Sequence, residues 1–268
     1  MNLENINNQT IDVVKQASAF IQREAANFKL DKVEYKDVNN LVSYVDKEAE
    51  KLLVAGLSAI LPEASFITEE GTTGQAPDFD ALNWIIDPLD GTANFIHGLP
   101  VYCVSVGLAR GKEPILGVIH EPNRDELFYG WQGGGAWCNG EKLRVSAASR
   151  LGESLLATGF PYYMFDKHDR YMKILETLMR QTHGLRRLGA AAVDLAYVAS
   201  GRFEGFYEYN LQSWDMAAGV LLVKEAGGIV TDFSGGDNYL FGGDIVAAGP
   251  VHAELLAVIE EIFCGKVR

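Results

Sequence analysis

Val14, Ala17, Ile21 and Phe28 recur at helical spacing, as do Val42, Val45, Ala49, Leu52 and Ile60, which predicts two amphipathic helices in the first sixty residues. Between them Asp31, Lys32, Glu34, Lys36 and Asp37 crowd a stretch that reads as an exposed hairpin or loop. After Pro62 the period changes. Apolar runs at residues 65–68 and 83–86 precede a meander of β-type segments at 101–110, 114–120 and 126–131. Asn139-Gly140 is a type I′ hairpin signal, so Gly133, Gly134 and Gly135 read as bulge or turn glycines; the Lys-Ser/Thr ending of a phosphate-cradling P-loop is absent.

The second half alternates. Strands are expected at 155–159, 203–209, 228–231 and 245–248, and helices at 167–181, 190–200, 213–226 and 252–263. Helices and sheets thus form layers in both halves, an α+β arrangement. With no fixed-period repeat or low-complexity linker, residues 1–268 read as one domain of two closely packed halves, about 1–146 and 147–268, meeting tightly around 146–152.

Composition sharpens this picture. A chain of 268 residues, 48% of them hydrophobic, can bury a large core. The first ten residues are polar, without the basic start and apolar run of a signal peptide, and no apolar stretch reaches membrane-spanning length. Cys103, Cys138 and Cys264 are odd in number and far apart, implying neither a disulfide framework nor a thiolate zinc site. A soluble protein of the reducing cytoplasm is the expectation. The formal charge of -13 argues against a nucleic-acid or anionic-membrane partner, yet carboxylates gathered around divalent cations would still admit a phosphate.

The question becomes where carboxylates gather. In Trp84-Ile85-Ile86-Asp87-Pro88-Leu89-Asp90-Gly91-Thr92 an apolar strand runs into two acids. Pro88 fixes φ and Gly91 permits a sharp turn, so Asp87 and Asp90 can converge at the strand's end, where convergent oxygens suit a hard cation such as magnesium. Glu69-Glu70 follows the apolar Phe66-Ile67, and Trp214-Asp215 opens a helix with Ser213 as its N-cap. Taken singly, Asp87 and Asp90 could merely cap a turn, Glu69 could be a solvated loop acid, and Asp215 a first-turn residue favoured by the helix dipole.

Together, Phe66-Ile67-Thr68-Glu69-Glu70, the segment from Asp87 to Phe95, and Trp214-Asp215 with Glu225-Ala226-Gly227-Gly228 resemble the signatures of the inositol monophosphatase family. The likeness extends upstream to Lys36 and Leu41-Val42-Ser43-Tyr44-Val45-Asp46. The resemblance implies a layered α-β-α-β-α sandwich, commonly a homodimer, shared with fructose bisphosphatase. By it, Glu69, Asp87, Asp90 and Asp215 are metal-coordinating side chains, the Leu89 carbonyl joins them, and two or three magnesium ions are implied. Asp46 and Thr92, with Glu69, serve the nucleophilic water, and the Gly91 and Thr92 amides hold phosphate. Glu208 and Gly189-Ala190-Ala191 face the alcohol part of the substrate, beside Asp90 and Asp215. Asn40 stands where the family pattern has Asp, and Ala190 where a hydroxyl residue is frequent.

The implied activity is magnesium-dependent hydrolysis of inositol monophosphate or a related polyol or sugar phosphate. Fructose bisphosphatase, histidinol phosphatase and bisphosphate nucleotidase activities are the enzyme alternatives, and a regulatory binding protein is the alternative of another class. The five histidines lack a two-His helical zinc motif, and Ser105, Ser154 and Ser213 sit outside any Gly-x-Ser-x-Gly elbow. His97 reads as part of a connector, Lys36 as a surface lysine or an electrostatic support for the water, Arg186-Arg187 as a solvated pair or phosphate contacts, and Trp84 and Trp214 as core anchors.

Overall fold

The computed structural model describes the chain except residues 29–32, 38–39, 76–77, 79–80, 161–165 and 266–268, with backbone alone at 33–37 and 40–42. Asp31 and Lys32 therefore lie outside the described residues, as do the side chains of Lys36, Asn40 and Val42.

Helix α1 (Leu3–Ala25) is followed by a hairpin of β1 (Val33–Asp37) and β2 (Asn40–Ser43) and then by α2 (Tyr44–Ile60). A seven-stranded sheet runs in order through β3 (Ser65–Thr68), β4 (Leu82–Asp90), β5 (Cys103–Arg110), β6 (Glu113–Glu121), β7 (Glu126–Trp131), β8 (Gly135–Cys138) and β9 (Glu141–Lys142), with short α3 (Thr92–Ile96) between β4 and β5. Among the described residues of this sheet, only the β3–β4 pair is parallel. The second half supplies β10 (Leu155–Thr158), α4 (His168–Gln181), β11 (Gly184–Arg186), α5 (Ala191–Ala199), β12 (Gly205–Tyr209), α6 (Ser213–Glu225), β13 (Ile229–Thr231), α7 (Tyr239–Gly242), β14 (Asp244–Ala248) and α8 (His252–Ile259). Its five strands form a mixed sheet in the order β11-β10-β12-β14-β13.

Alternation along β4 decides the layering. Trp84 and Ile86 point into a core shared with α1 and α2, where Val14, Ile21, Leu53 and Val104 also lie. Ile85 points the other way, into a core built on α5 and α6 that includes Phe206 and Ala247 of the second sheet. A third core, around Tyr171, Ile174, Tyr207 and Leu255, closes the far face with α4 and α8. The order is α1/α2, seven-stranded sheet, α5/α6, five-stranded sheet, α4/α8, the expected five-layer sandwich. Each fully buried Val, Leu, Ile or Phe in these cores contributes about 1.5–3 kcal/mol. Among the described residues no helix is long and apolar enough to cross a membrane.

Several local expectations need correcting. Leu52 is 47% exposed and Leu53 fully buried, because the buried stripe of α2 runs through Val45, Ala49, Leu53 and Leu57 at strict helical spacing. The last helix ends at Ile259 and passes into a wider π-type turn at Glu260–Cys264. Ser213 is not the N-cap of α6: Gln212 is the extended residue there, and Ser213 is already helical. The Asn139-Gly140 turn has positive φ at both residues (49° and 87°), as a type I′ hairpin requires.

Candidate active site

A regular strand would place Asp87 and Asp90 on opposite faces of the sheet, three residues apart. The structure avoids this with a bulge: Asp87 pairs with Ser105 and Asp90 with Cys103, so β4 takes three steps while β5 takes two. Asp87 continues the Ile85 face, and Asp90 lies against Cys103, which also belongs to the central core. Leu89 meanwhile turns its side chain into the core shared with α1 and α2. Gly91 ends the strand at φ 92°, a left-handed conformation that glycine adopts without penalty, and α3 begins at the next residue.

Three further segments meet this strand end. The Glu69 amide donates to the Ile86 carbonyl at 3.2 Å, extending the β3–β4 pairing until Glu69 lies beside Asp87. Asp215 sits in the first turn of α6, its Oδ2 accepting the Gln212 amide at 2.6 Å. The start of α5 closes on Asp90, whose Oδ2 accepts the Ala192 amide at 2.7 Å. Ala190, the N-cap of α5, has no side-chain oxygen to perform this task; a carboxylate from the other half of the chain performs it instead.

The electrostatics of the cluster are unfavourable as they stand. Burial pushes the Asp87 carboxyl well above the usual range, and Glu69, Asp90 and Asp215 add to the rise. Asp90 is raised to about 7 by burial, with the Ala192 amide pulling the other way, and Asp215 to about 7 by burial and then Asp90. Among the described residues no three His, Cys, Asp or Glu side chains are already closed into a coordination shell. The donor chemistry nevertheless fits a hard divalent cation: all oxygen, mostly anionic, and mutually repulsive unless positive charge is added.

Asp46 and Thr92 form a second unit next to this cluster. Asp46, 1% exposed on the first turn of α2, receives the Ser43 amide (2.9 Å) and hydroxyl (2.7 Å) on Oδ2. Its Oδ1 faces the Thr92 hydroxyl at 2.9 Å, and that hydroxyl also lies 3.0 Å from the Leu89 carbonyl. Burial raises the Asp46 pKa, with the Ser43 and Thr92 hydrogen bonds opposing it.

On the other side Asp90, Gly189, Ala190, Ala191, Glu208 and Asp215 line one cleft of about 110 Å³. Glu208 alternates with Tyr207 and Tyr209, which point into the third core against α4 and α8, so it faces the central layer. It lies against the Cα of Gly159, where any Cβ would collide with its carboxylate. Burial raises its pKa to about 8, while Arg187 pulls it down. Asp46, Glu69, Asp87, Leu89, Gly91 and Thr92 lie outside the lining of this cleft and join it through Asp90.

Four participants were not singled out by sequence, or only ambiguously. Glu50, fully buried one turn after Asp46, grips the loop after β3: its carboxylate accepts the Glu70 amide (2.7 Å), the Thr72 amide (2.8 Å) and the Thr72 hydroxyl (2.7 Å). The Asp46–Glu50 helical spacing was the available signal. Asn94 ties α3 to the Gly189 loop, donating to Val101 (2.7 Å) and Leu188 (2.9 Å) carbonyls. Arg187 lines the cleft, whereas Arg186 is exposed and bonds its neighbour Leu185. Asp194 also lines the cleft, and an acid inside the otherwise apolar Ala191–Ala199 was legible as an anomaly. Trp84 is fully buried and Trp214 packs at the edge of the central core, while His97 is an exposed residue at the end of α3.

Comparisons with known proteins bear directly on this geometry. The model of the inositol monophosphatase family matches residues 2–262. A Neisseria meningitidis serogroup B protein named "Putative Nus factor SuhB" is 42% identical over 254 residues, 94% of this chain and 97% of that one. An inositol-1-monophosphatase of Mesorhizobium japonicum is 39% identical over 244 residues, 91% of each chain. The crystal structure of the extragenic suppressor protein suhB from Bartonella henselae has a TM-score of 0.87 and 38% identity, covering 95% of this chain and 98% of that one.

Proposed function

The chain belongs to the inositol monophosphatase family, and from that premise we propose that it hydrolyses a phosphate monoester of the polyol or sugar class, inositol monophosphate first, with magnesium. The observation supporting this most directly is the group of Glu69, Asp87, Asp90 and Asp215, in which desolvation and the neighbouring acids raise the pKa values of Asp87, Asp90 and Asp215, beside a cleft large enough for a small alcohol. These four side chains and the Leu89 carbonyl would hold two or three magnesium ions. When bound, such ions neutralise the phosphate and lower the pKa of a water.

The rest falls to the chain's own groups. Ser43 occupies Asp46 Oδ2, which leaves Oδ1 for the Thr92 hydroxyl. With its hydrogen given to Asp46, Thr92 Oγ1 keeps lone pairs to accept a hydrogen from a water, aligning that water with a carboxylate made more basic by burial. Glu69 would help orient the same water. The Gly91 and Thr92 amides, at the start of α3, would take phosphate oxygens. Glu208 and the Gly189-Ala190-Ala191 turn, both on the cleft wall, would receive the alcohol.

Glu208 supplies the test. A site built to bond hydroxyls leaves polar groups unpaired when they are missing, whereas the carboxylate cluster treats every phosphate alike. With magnesium, Glu208→Ala should reduce kcat/KM for inositol 1-phosphate more than for 4-nitrophenyl phosphate, and a bisphosphate nucleotide should be a poor substrate of the wild type. Equal losses on both esters, or a preference for the nucleotide, would overturn the polyol assignment in favour of the bisphosphate nucleotidase, fructose bisphosphatase or histidinol phosphatase alternatives. A regulatory binding role is the second reading, since a relative bears the name of a factor. No phosphate release from any ester with magnesium would favour it.

A further inference from the structure

Helix α5 is apolar and buried along its whole length, Ala191 to Ala199, with one exception. Asp194 is 2% exposed, its Oδ1 is enclosed without a hydrogen-bond partner, and the residue forms part of the cleft wall that also carries Glu208. Its position in the first turn, near the positive end of the helix, offsets only a fraction of the cost of burying a carboxyl group. An apolar side chain there would complete the helix without that cost. Unpaired buried acceptors are rare in folded proteins and call for a partner.

The surroundings narrow what the partner is. Glu208, Asp90 and Asp215 share the cleft with Asp194, and Arg187 is the cation among the lining residues. Burial first, then the charges of Glu208 and Asp90, raise the Asp194 pKa well above the ordinary range, so the group is able to donate a hydrogen bond as well as accept one. A second phosphate or carboxylate would meet three or four acids. A neutral hydroxyl would meet hydrogen-bonding groups from two elements, α5 and β12.

We propose that Asp194 is a specificity-determining residue that reads a hydroxyl of the substrate alongside Glu208, so that the cleft selects neutral polyols through two carboxyl groups. This rests on the phosphatase reading above. It extends that reading to a residue on a different element from Glu208 and to a substrate class bearing at least two hydroxyls near the ester.

The test measures kcat and KM with inositol 1-phosphate and with 4-nitrophenyl phosphate, in magnesium, for wild type, Asp194→Ala and Asp194→Asn, with thermal unfolding of each. Asp194→Ala should lose about 10–100-fold in kcat/KM on the inositol ester, mainly through KM, and under about threefold on the aryl ester. Asp194→Asn fills the same volume and keeps one acceptor, so it should lose about three- to tenfold on the inositol ester, mainly through KM, and no more on the aryl ester than the alanine variant does. If the alanine variant does not fold, the asparagine variant decides alone. Equal losses on the two esters, or undiminished kcat/KM on the inositol ester, would overturn the role of Asp194. A wild type that releases phosphate from neither ester would instead overturn the phosphatase reading, so the two failures are distinguishable.

Discussion

Glu121 and Asp87 are both buried carboxylates of the seven-stranded sheet, yet they live in opposite circumstances. Glu121, fully buried at the end of β6, is surrounded by donors: the Asn123 amide and side chain reach Oε1 at 3.0 and 2.6 Å, and the Arg124 amide reaches Oε2 at 2.9 Å. Glu50 is treated in the same way by Glu70 and Thr72. Asp87 receives the Leu89 amide at 2.9 Å and otherwise faces Glu69, Asp90 and Asp215. Burial alone therefore does not mark a functional acid here. The distinction lies in whether the protein supplies the positive partners itself or leaves a group of acids to be neutralised from outside.

The sharpest way to break this comparison is to neutralise one acid of each kind. Asp87→Asn should lower kcat/KM by about a thousandfold or more in magnesium, the scale expected when a cation ligand and water activation are lost together. In EDTA the same variant should unfold at an equal or higher temperature than wild type, because a repulsive charge has gone. Retained activity, or marked destabilisation in EDTA, would place Asp87 with the structural acids.

Glu50→Gln should behave in the reverse manner. One of its oxygens becomes an amide nitrogen facing backbone N–H donors, at a cost of about 2–3 kcal/mol. For a chain of this size that corresponds to a Tm lower by roughly 4–12 °C, with or without magnesium. An unchanged Tm would show that the grip on the Glu69–Glu70 loop adds nothing.

A smaller, continuous effect should appear with pH. Folded pKa values near 7 for Asp90 and Asp215, and near 8 for Glu208, exceed those of an unfolded chain, near 4. Between about pH 4 and 8 the folded state thus binds more protons, and these groups make the metal-free fold less stable as pH rises. Magnesium should displace those protons, so the difference in Tm between magnesium and EDTA should widen from pH 5.5 to 8. Comparing the two conditions at each pH cancels the opposite contribution of His120 and His252, whose pKa values burial lowers. A constant difference would mean that the cluster is not coupled to cation binding.

Much of the fold was legible because its signals are local. Helical spacing in α1, α2, α4 and α6, alternation in β5 to β7 and the Asn139-Gly140 turn each arise within a few residues. What escaped was short or dependent on neighbours. Strand β11 is three residues long and exists because β10 pairs with it, while α3 and α7 are too short to show a period. The misplaced cap of α6 has the same origin: Ser213 is a favourable cap by type, but the chain turns one residue earlier, where Asp215 satisfies the Gln212 amide.

By itself, the sequence determined the apolar strand that runs into Asp87 and Asp90, with its φ-fixing proline and the sharp turn that Gly91 permits, and the family signatures spread around it. Only the tertiary structure decided that Asp90 would cap α5 in place of the side chain Ala190 lacks, that Glu50 would be saturated while Asp87 was not, and that Asp194 would share a cleft with Glu208. The reason is one of range. Backbone preference is set by adjacent residues, whereas desolvation, charge repulsion and the supply of hydrogen-bond donors are set by whatever the layers bring within a few ångströms, regardless of distance along the chain.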